Sequence, residues 1–113
     1  MFETSELIYN ILNGNAALMA LISKVSPLIS NEKTVYPFVN FVLTEDGPFS
    51  KEGNYNYIVS INCFSEEYDT TLKVADAVKT AMASSTIIFN YTGSTPSVQD
   101  GIIITTSNYK FKN

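Results

Sequence analysis

The hydrophobic period of the chain changes abruptly near residue 65, and this change limits the folds open to it. Between Tyr57 and Phe64 apolar and polar side chains alternate, which is the pattern of a strand with one covered face. Between Tyr68 and Met82 apolar side chains recur every three or four residues, which is the spacing of an amphipathic helix. The sequence therefore predicts a central strand that leads directly into a covering helix. The predicted strand face holds Tyr57, Val59, Ile61 and Cys63, and the predicted helix face holds Tyr68, Leu72, Ala75, Val78 and Met82.

The junction between these two elements carries polar residues that are typical of a helix start. Ser65 is the predicted N-cap, because its hydroxyl can accept a hydrogen bond from a free backbone N–H of the first turn. Glu66, Glu67 and Asp69 then place negative charge where the helix macrodipole favours it. We therefore interpret these carboxylates as solvated helix-start residues, and a paired-carboxylate hydrolase is the remote alternative.

Two short helices are predicted before the sheet. The first covers Thr4–Leu12 and stops at Asn13–Asn15, and the second runs from Ala16 to about Lys24 before Pro27 ends it. The amino terminus is acidic and lacks the pattern of a signal peptide, and the longest apolar run is too short to span a bilayer. We therefore expect a soluble protein that is made inside a cell.

A long hairpin loop is predicted between the first two strands. Thr34–Thr44 alternates like a strand, and Pro37 limits its pairing either to an edge or to the residues from Phe38 onward. Glu45–Asn56 follows with two glycines and a proline, and it exceeds the usual length of a hairpin connection. Because Phe49 and Tyr55 are aromatic residues in this polar segment, we expect the loop to be an assembly arm that contacts a partner.

The carboxyl-terminal part predicts a second hairpin. Thr86–Thr92 and Ile102–Phe111 have the β-branched and aromatic density of strands, and Gly93–Ser97 has the composition of a turn. Asp100-Gly101 is predicted to form a bulge or a tight bend before the last strand. The expected fold is a single α+β domain over residues 1–113, with a four-stranded, mainly antiparallel sheet covered on one face and the order α-α-β-β-α-β-β.

Composition excludes several classes of function. The 113-residue chain has a net charge of −4, seven Lys, no Arg and no His, which disfavours nucleic-acid recognition and removes the usual general base. With a single cysteine, it also lacks the usual zinc ligands. We therefore expect no catalytic, metal or cofactor site, and we expect Cys63 to be a buried apolar side chain. The remaining possibility is a function that depends on the surfaces through which the domain contacts its partners.

Aromatic residues are the candidates for such a surface. Seven Tyr and seven Phe are more than a core of this size requires, and Tyr109 and Phe111 alternate with lysines at the end of the chain. These two rings either pack on the helices of the domain or belong to an interface. Ser60 and Asn62 give the other sheet face a polar, uncharged character, which suits contact with another subunit. The candidate interface residues are Phe49, Tyr55, Tyr109 and Phe111.

Two segments of the chain resemble a known family. Val35-Tyr36-Pro37-Phe38-Val39-Asn40-Phe41, and the strand Tyr57–Phe64 running through Ser65–Asp69 into the helix Leu72–Val78, resemble the tail completion or tail-terminator proteins of long-tailed bacteriophages and prophages. The resemblance extends from about Ile8 to Met82. The chain departs from the family pattern at Ser30–Lys33, where members carry a short basic or glycine-containing turn, and in its longer hairpin loop.

The resemblance implies a structural virion protein without enzymatic activity. It implies a homo-oligomeric ring, a hexamer, that caps the head-proximal end of the tail tube after assembly in the cytoplasm of the bacterial host. The implied partners are further copies of the chain, the tail tube protein and the head connector protein, with DNA passing through the ring unbound. The alternative is a protein-binding or adaptor domain that uses the loop over residues 45–56.

Overall fold

In the part of the chain that the structure describes, three helices cover one face of a five-stranded sheet. The computed structural model describes residues 1–27, 35–48 and 55–113. The predicted α+β class is confirmed, but the sheet has five strands instead of four. The elements in chain order are α1 Phe2–Asn13, α2 Ala16–Met19, β1 Val25–Pro27, β2 Phe38–Pro48, β3 Tyr55–Ser65, α3 Tyr68–Ala83, β4 Asn90–Gln99 and β5 Ile102–Lys112.

The additional strand is β1, where the sequence predicted only the end of a helix. α2 stops at Met19 after a single turn, capped by the Asn15 side chain, which accepts a hydrogen bond from the Leu18 N–H at 2.9 Å. The chain then extends and pairs with β2 in parallel, in register Val25 to Val39. The prediction of a helix reaching Lys24 was therefore wrong, because the backbone of this segment bonds to the chain around β2: the Ser23 N–H donates to the Pro37 carbonyl at 2.8 Å, and the Lys24 carbonyl accepts from the Val39 N–H at 3.1 Å.

β3 is the central strand, and its predicted inner face is confirmed. Val59, Ile61 and Cys63 are fully buried, and Tyr57 is nearly so. β3 pairs antiparallel with β2 on one side and with β5 on the other, giving the order β1-β2-β3-β5-β4. The strand therefore places its apolar face under the helices and its polar residues on the open face of the sheet.

The junction after β3 differs from the prediction in its cap. Ser65 is the last residue of the strand, and Glu67 is the N-cap of α3. The Ser65 hydroxyl accepts a hydrogen bond from the Glu67 N–H at 3.1 Å, so it orders the turn two residues before the helix. The first turn of α3 carries Asp69 as its acidic residue.

The buried stripe of α3 is rotated relative to the predicted one. Ala75, Val78 and Met82 face the core as predicted, whereas Tyr68 is 52% exposed and Leu72 is only half-buried. Thr71 is fully buried instead, because its hydroxyl donates to the Tyr68 carbonyl at 2.7 Å and needs no partner from the core. Val74 and Ala81 complete the stripe.

The second hairpin also differs from the prediction. β4 covers Asn90–Gln99, so the predicted turn Gly93–Ser97 lies inside the strand and the predicted strand at Thr86 starts too early. The chain reverses at Asp100-Gly101, where a tight bend was one of the two predicted alternatives, and φ angles of +53° and +80° suit a two-residue hairpin turn. Gly93 marks a β-bulge next to Tyr91.

The first hairpin has longer strands than expected. β2 begins to pair at Phe38, as one of the two alternatives for Pro37 predicted. Glu45–Pro48 and Tyr55–Asn56 belong to β2 and β3, so the predicted loop is too long at both ends. Its remaining residues 49–54, including Phe49, lie outside the described residues, as do Ser30–Lys33.

Candidate assembly interface

β4 forms one free edge of the sheet. It pairs with β5 on one side, and none of the described strands pairs with its other side. Along the strand every side chain except Gly93 is exposed, including Val98 at 72%. None of its ten residues is charged. A long, exposed edge strand without charged residues is open to pairing with another chain.

The start of β4 is held in place from both sides. The Ser94 and Ser107 hydroxyl oxygens lie 2.7 Å apart, and the Tyr91 hydroxyl donates to Ser94 Oγ. Lys79 of α3 places its ammonium 4.3 Å from the centroid of the Tyr91 ring, which is a cation–π geometry. These contacts hold the first residues of β4 against β5 and α3, and Lys79 lies beside them.

The opposite edge of the sheet carries a groove of mixed polar and apolar lining between α1 and the strands β1 and β2. The groove has a volume of about 610 Å³. Phe2 at its mouth is 74% exposed, and the neighbouring Met1 is 57% exposed. Its lining residues are Phe2, Ser5, Glu6, Tyr9, Asn10, Val25, Pro27 and Phe41.

Acidic side chains lie on the same side of the sheet among the described residues. Glu3 and Glu6 of α1 are exposed, and so are Glu45 and Asp46 near the end of β2. Lys24, just before β1, is half-buried. The two edges of the sheet therefore differ in charge as well as in shape.

The open face of the sheet satisfies most of its own polar groups. Asn62 donates to the Asn40 side-chain oxygen at 2.9 Å and accepts from Thr106 at 2.8 Å. Ser60 donates to the Asn108 side chain at 2.7 Å. These cross-strand bonds stabilise the sheet without a partner, so the polar residues noted in the sequence have a structural role within the chain.

The four candidate interface residues lie in different environments. Tyr109 and Phe111 are each 2% exposed and pack in the core, where Phe111 stacks on Tyr57 with ring centroids 5.4 Å apart. Neither ring can reach a partner while the chain keeps this fold. Tyr55 is 36% exposed, and its backbone pairs with Asn113 at 3.0 and 3.1 Å. Phe49 lies outside the described residues, so the structure does not bring the four together.

Buried ionisable groups occupy structural positions. Burial raises the pKa of the Cys63 thiol to about 12, so the prediction of a buried thiol is confirmed and the thiolate is suppressed at neutral pH. Burial, with smaller contributions from Tyr91 and Cys63, raises the pKa of Tyr109. Among the described residues no cluster of acidic, Cys or His side chains could hold a metal ion. In that same part of the chain, no helix has the length and apolar character to span a membrane.

Sequence reasoning missed the β4 edge. Gly93, Ser94 and Pro96 have the composition of a turn, and they led to the prediction that the strand ends before them. The signal that could have revealed the edge is charge: no charged residue occurs from Thr80 to Gln99. Depletion of charged residues is a feature of the centre of protein interfaces, so this run was the sequence signal for a candidate interface at this edge.

The fold is similar to that of a chain in a solved structure described as the virion of a native gene transfer agent particle. The two superpose with a TM-score of 0.76 at 14% sequence identity, over 93% of this chain and 90% of the other. Neither the family models nor the curated proteins give a match. The similarity therefore defines a shared fold over nearly the whole chain, and the tail-completion family remains a prediction.

Proposed function

We propose that this chain is a structural protein of a phage-like virion. The observation that carries the proposal is the similarity in fold, over nearly the full length of both chains, to a component of a gene transfer agent virion. The exposed, uncharged edge strand β4 supports it, because a chain that acted alone would gain from charges there.

Within the virion, we place the chain in a ring that caps the head-proximal end of the tail tube and joins it to the head connector. A ring requires a heterologous contact, in which one surface of a subunit meets a different surface of the next and the rotation closes. The chain offers two unlike edges at opposite sides of one sheet. The resemblance of the sequence to tail-terminator proteins supports this position and a ring of six subunits.

The charge of the chain suits a channel through which DNA passes. A net charge of −4 without any Arg repels the phosphate backbone, so DNA would move past the ring without being retained. The proposed partners are further copies of the chain, the tail tube protein and the head connector protein. The role is structural and needs no catalytic residue or cofactor.

An adaptor that binds a protein partner through the segment over residues 45–56 is the second candidate. The β2–β3 hairpin extends further than the loop prediction assumed, since Pro48 pairs with Tyr55. Such a hairpin can project from the domain and contact a partner. An adaptor of this kind would act outside a virion, which separates it from the first candidate.

The test is to delete the gene for this chain from the phage or prophage that encodes it. The proposal predicts heads and tails that do not join, together with tails of irregular length, and it predicts density for this fold at the head-proximal end of wild-type tails. Complementation with the intact gene is the control. Normal virions that lack the chain would refute the proposal and favour the adaptor.

A further inference from the structure

The backbone groups on the outer side of β4 follow from its hairpin with β5. The turn at Asp100-Gly101 has two residues with positive φ angles, so the residues that flank it, Gln99 and Ile102, form a hydrogen-bonded pair. In an antiparallel ladder such pairs alternate with pairs whose backbone groups point to the outer sides of the two strands. The residues of β4 that present outward backbone groups after its bulge are therefore Ser94, Pro96 and Val98.

These outward groups are symmetric about Pro96. Ser94 and Val98 lie two residues to either side of it, and each presents an outward N–H and an outward carbonyl. Pro96 presents a carbonyl alone, because proline has no backbone N–H. A second copy placed antiparallel, with its Pro96 opposite this one, pairs Ser94 of each copy with Val98 of the other, and each such pair can exchange both backbone hydrogen bonds.

The same arrangement brings opposite charges together at both ends of the contact. Asp100 lies four residues after Pro96, and Tyr91 lies five residues before it, with one residue taken up by the bulge. Both are therefore four ladder positions from Pro96, so Asp100 of one copy is level with Tyr91 of the other. Lys79 places its ammonium 4.3 Å from the centroid of that tyrosine ring. Asp100 and Lys79 are both exposed.

We propose that two copies of the chain bind each other through their β4 strands, antiparallel and with Pro96 at a two-fold axis, so that Lys79 of each copy lies next to Asp100 of the other. The two sheets then form one continuous sheet, with the helices of both copies on the same face. The contact is isologous, because both copies use the same surface. This inference goes beyond the proposed function: the dimer covers the edge of the free protein, and it has to open before that edge enters a ring.

The contact covers β4 without burying an unpaired charge, which would be costly. None of the ten residues of β4 is charged, so two copies of the strand meet without repulsion. A proline disfavours pairing at an edge in general, because the carbonyl opposite it receives no donor. Placing the two prolines opposite each other confines this loss to the central pair and leaves the flanking pairs complete. Pro96 therefore selects the register of the dimer.

Charge reversal tests this register. Lys79→Glu and Asp100→Lys each place like charges at both ends of the homodimer, so the affinity of the dimer should fall roughly tenfold or more. An equimolar mixture of the two variants restores opposite charges at both ends of the mixed dimer, so it should associate with nearly the wild-type affinity. Sedimentation velocity and native mass spectrometry measure the dimer, and circular dichroism checks that each variant is folded.

Two further variants control for effects other than charge at the contact. Lys73→Glu makes the same change at an exposed lysine elsewhere on α3, and it should associate like the wild type. Asp100 has a φ angle of +53°, which Lys adopts with strain and Asn tolerates. Asp100→Asn therefore removes the charge while keeping the turn, and it should lower the affinity by a smaller factor than Asp100→Lys.

A cysteine at the axis tests the contact without changing its charge. In Pro96→Cys the introduced thiols belong to directly opposed residues, whose Cα atoms lie about 5.5 Å apart in a ladder, within the range that a disulfide spans. Oxidation should therefore give a covalent dimer that peptide mapping assigns to the introduced cysteines. Gln99→Cys is the matched control, because this exposed residue lies three positions from the axis and its two copies are roughly 20 Å apart along the strands. It should stay unlinked.

The inference is supported if the wild type forms a dimer, either charge reversal weakens it and the mixture restores it. A wild-type chain that stays monomeric, reversed variants that associate like the wild type, a mixture that stays dissociated, or a disulfide that forms as readily in Gln99→Cys as in Pro96→Cys would each overturn it. The virion proposal is judged separately, by the presence of the chain in particles and by the deletion phenotype.

Discussion

β3 and β4 are strands of one sheet, both pair with β5, and they differ in almost every other property. β3 alternates strictly, with Val59, Ile61 and Cys63 fully buried, whereas nearly every side chain of β4 is exposed. Among the described strands, β3 has neighbours on both sides, and β4 has β5 alone. The residues of β3 therefore serve the fold of the chain itself, while those of β4 are exposed and, in the assembly that we propose, would contact another chain.

The largest predicted effect on stability comes from a substitution in β3, at the centre of the sheet. Ile61→Ala should lower the free energy of unfolding by roughly 2–5 kcal/mol, because Ile61 is fully buried and the truncation leaves a cavity. Thr95→Ala on β4 is the matched control, and it should change stability by less than about 0.5 kcal/mol. Urea denaturation of both variants provides the measurement. Equal losses at the two positions would contradict the contrast.

The burial of Cys63 on β3 should make the free energy of unfolding depend on pH in alkaline solution. Its pKa is raised from 9.0 to about 12 by burial, so the unfolded chain releases the thiol proton before the folded chain does. Stability is therefore intact below pH 9 and is lost between pH 9 and about 12, by at most about 1.4 kcal/mol per pH unit from this group. The measurement is the free energy of unfolding of the wild type and of Cys63→Ala at several alkaline pH values.

In the Cys63→Ala variant the alkaline slope should decrease without disappearing. Tyr109 also has a raised pKa, and it contributes its own loss of stability in more alkaline solution. Identical slopes for the wild type and the variant would show that Cys63 is not shielded from solvent as the structure places it.

A smaller effect is expected on the open face of the same strand. Asn62→Ala removes the donor to the nearly buried Asn40 side chain and the acceptor for Thr106. We expect a loss of about 1 kcal/mol, at the low end of the range for an unsatisfied polar group, since the site is half-buried. Thermal unfolding measures it, with Thr44→Ala as an exposed control on the same face. A neutral result would mean that the cross-strand bonds are replaced by water without cost.

The smallest expected effect on stability lies on β4. Val98→Lys changes a side chain that is 72% exposed, so the free energy of unfolding should shift by less than about 0.5 kcal/mol. Self-association should nevertheless weaken, because the change introduces a charge into an uncharged edge. Chemical denaturation and sedimentation of the same sample separate the two effects. A strongly destabilised monomer would show that β4 serves the fold of its own chain.

The sequence predicts the parts of the fold that have a strong period. β3 and α3 were predicted because alternation over Tyr57–Phe64 and helical spacing after it are each sustained over many residues. β1 was missed because three residues carry no measurable period and are fixed only by pairing with β2. The helix stripe was misplaced by part of a turn because Thr71 satisfies its hydroxyl within α3, which residue type alone does not reveal.

The candidate interface was predicted less well, for a related reason. Aromatic residues mark both cores and interfaces, so Tyr109 and Phe111 could not be assigned before their burial was known. Pro96 and Gly93 favour a turn in sequence, yet an edge strand tolerates both. Pro96 has no backbone N–H to donate, which an edge strand can accept because it pairs on one side, and Gly93 lies next to a bulge. Which strand lies at the edge depends on the strand order of the whole sheet, and the local sequence of a strand does not specify that order.

Amide hydrogen exchange, followed by mass spectrometry on the dilute monomer and on the assembled form, shows directly whether assembly covers the β4 edge. We expect the amides of β3 to be protected in both forms, whereas the outward amides of β4 should exchange quickly in the monomer and slowly after assembly. β4 amides that exchange equally fast in both forms would contradict the account, because the edge would then remain uncovered when the chains come together.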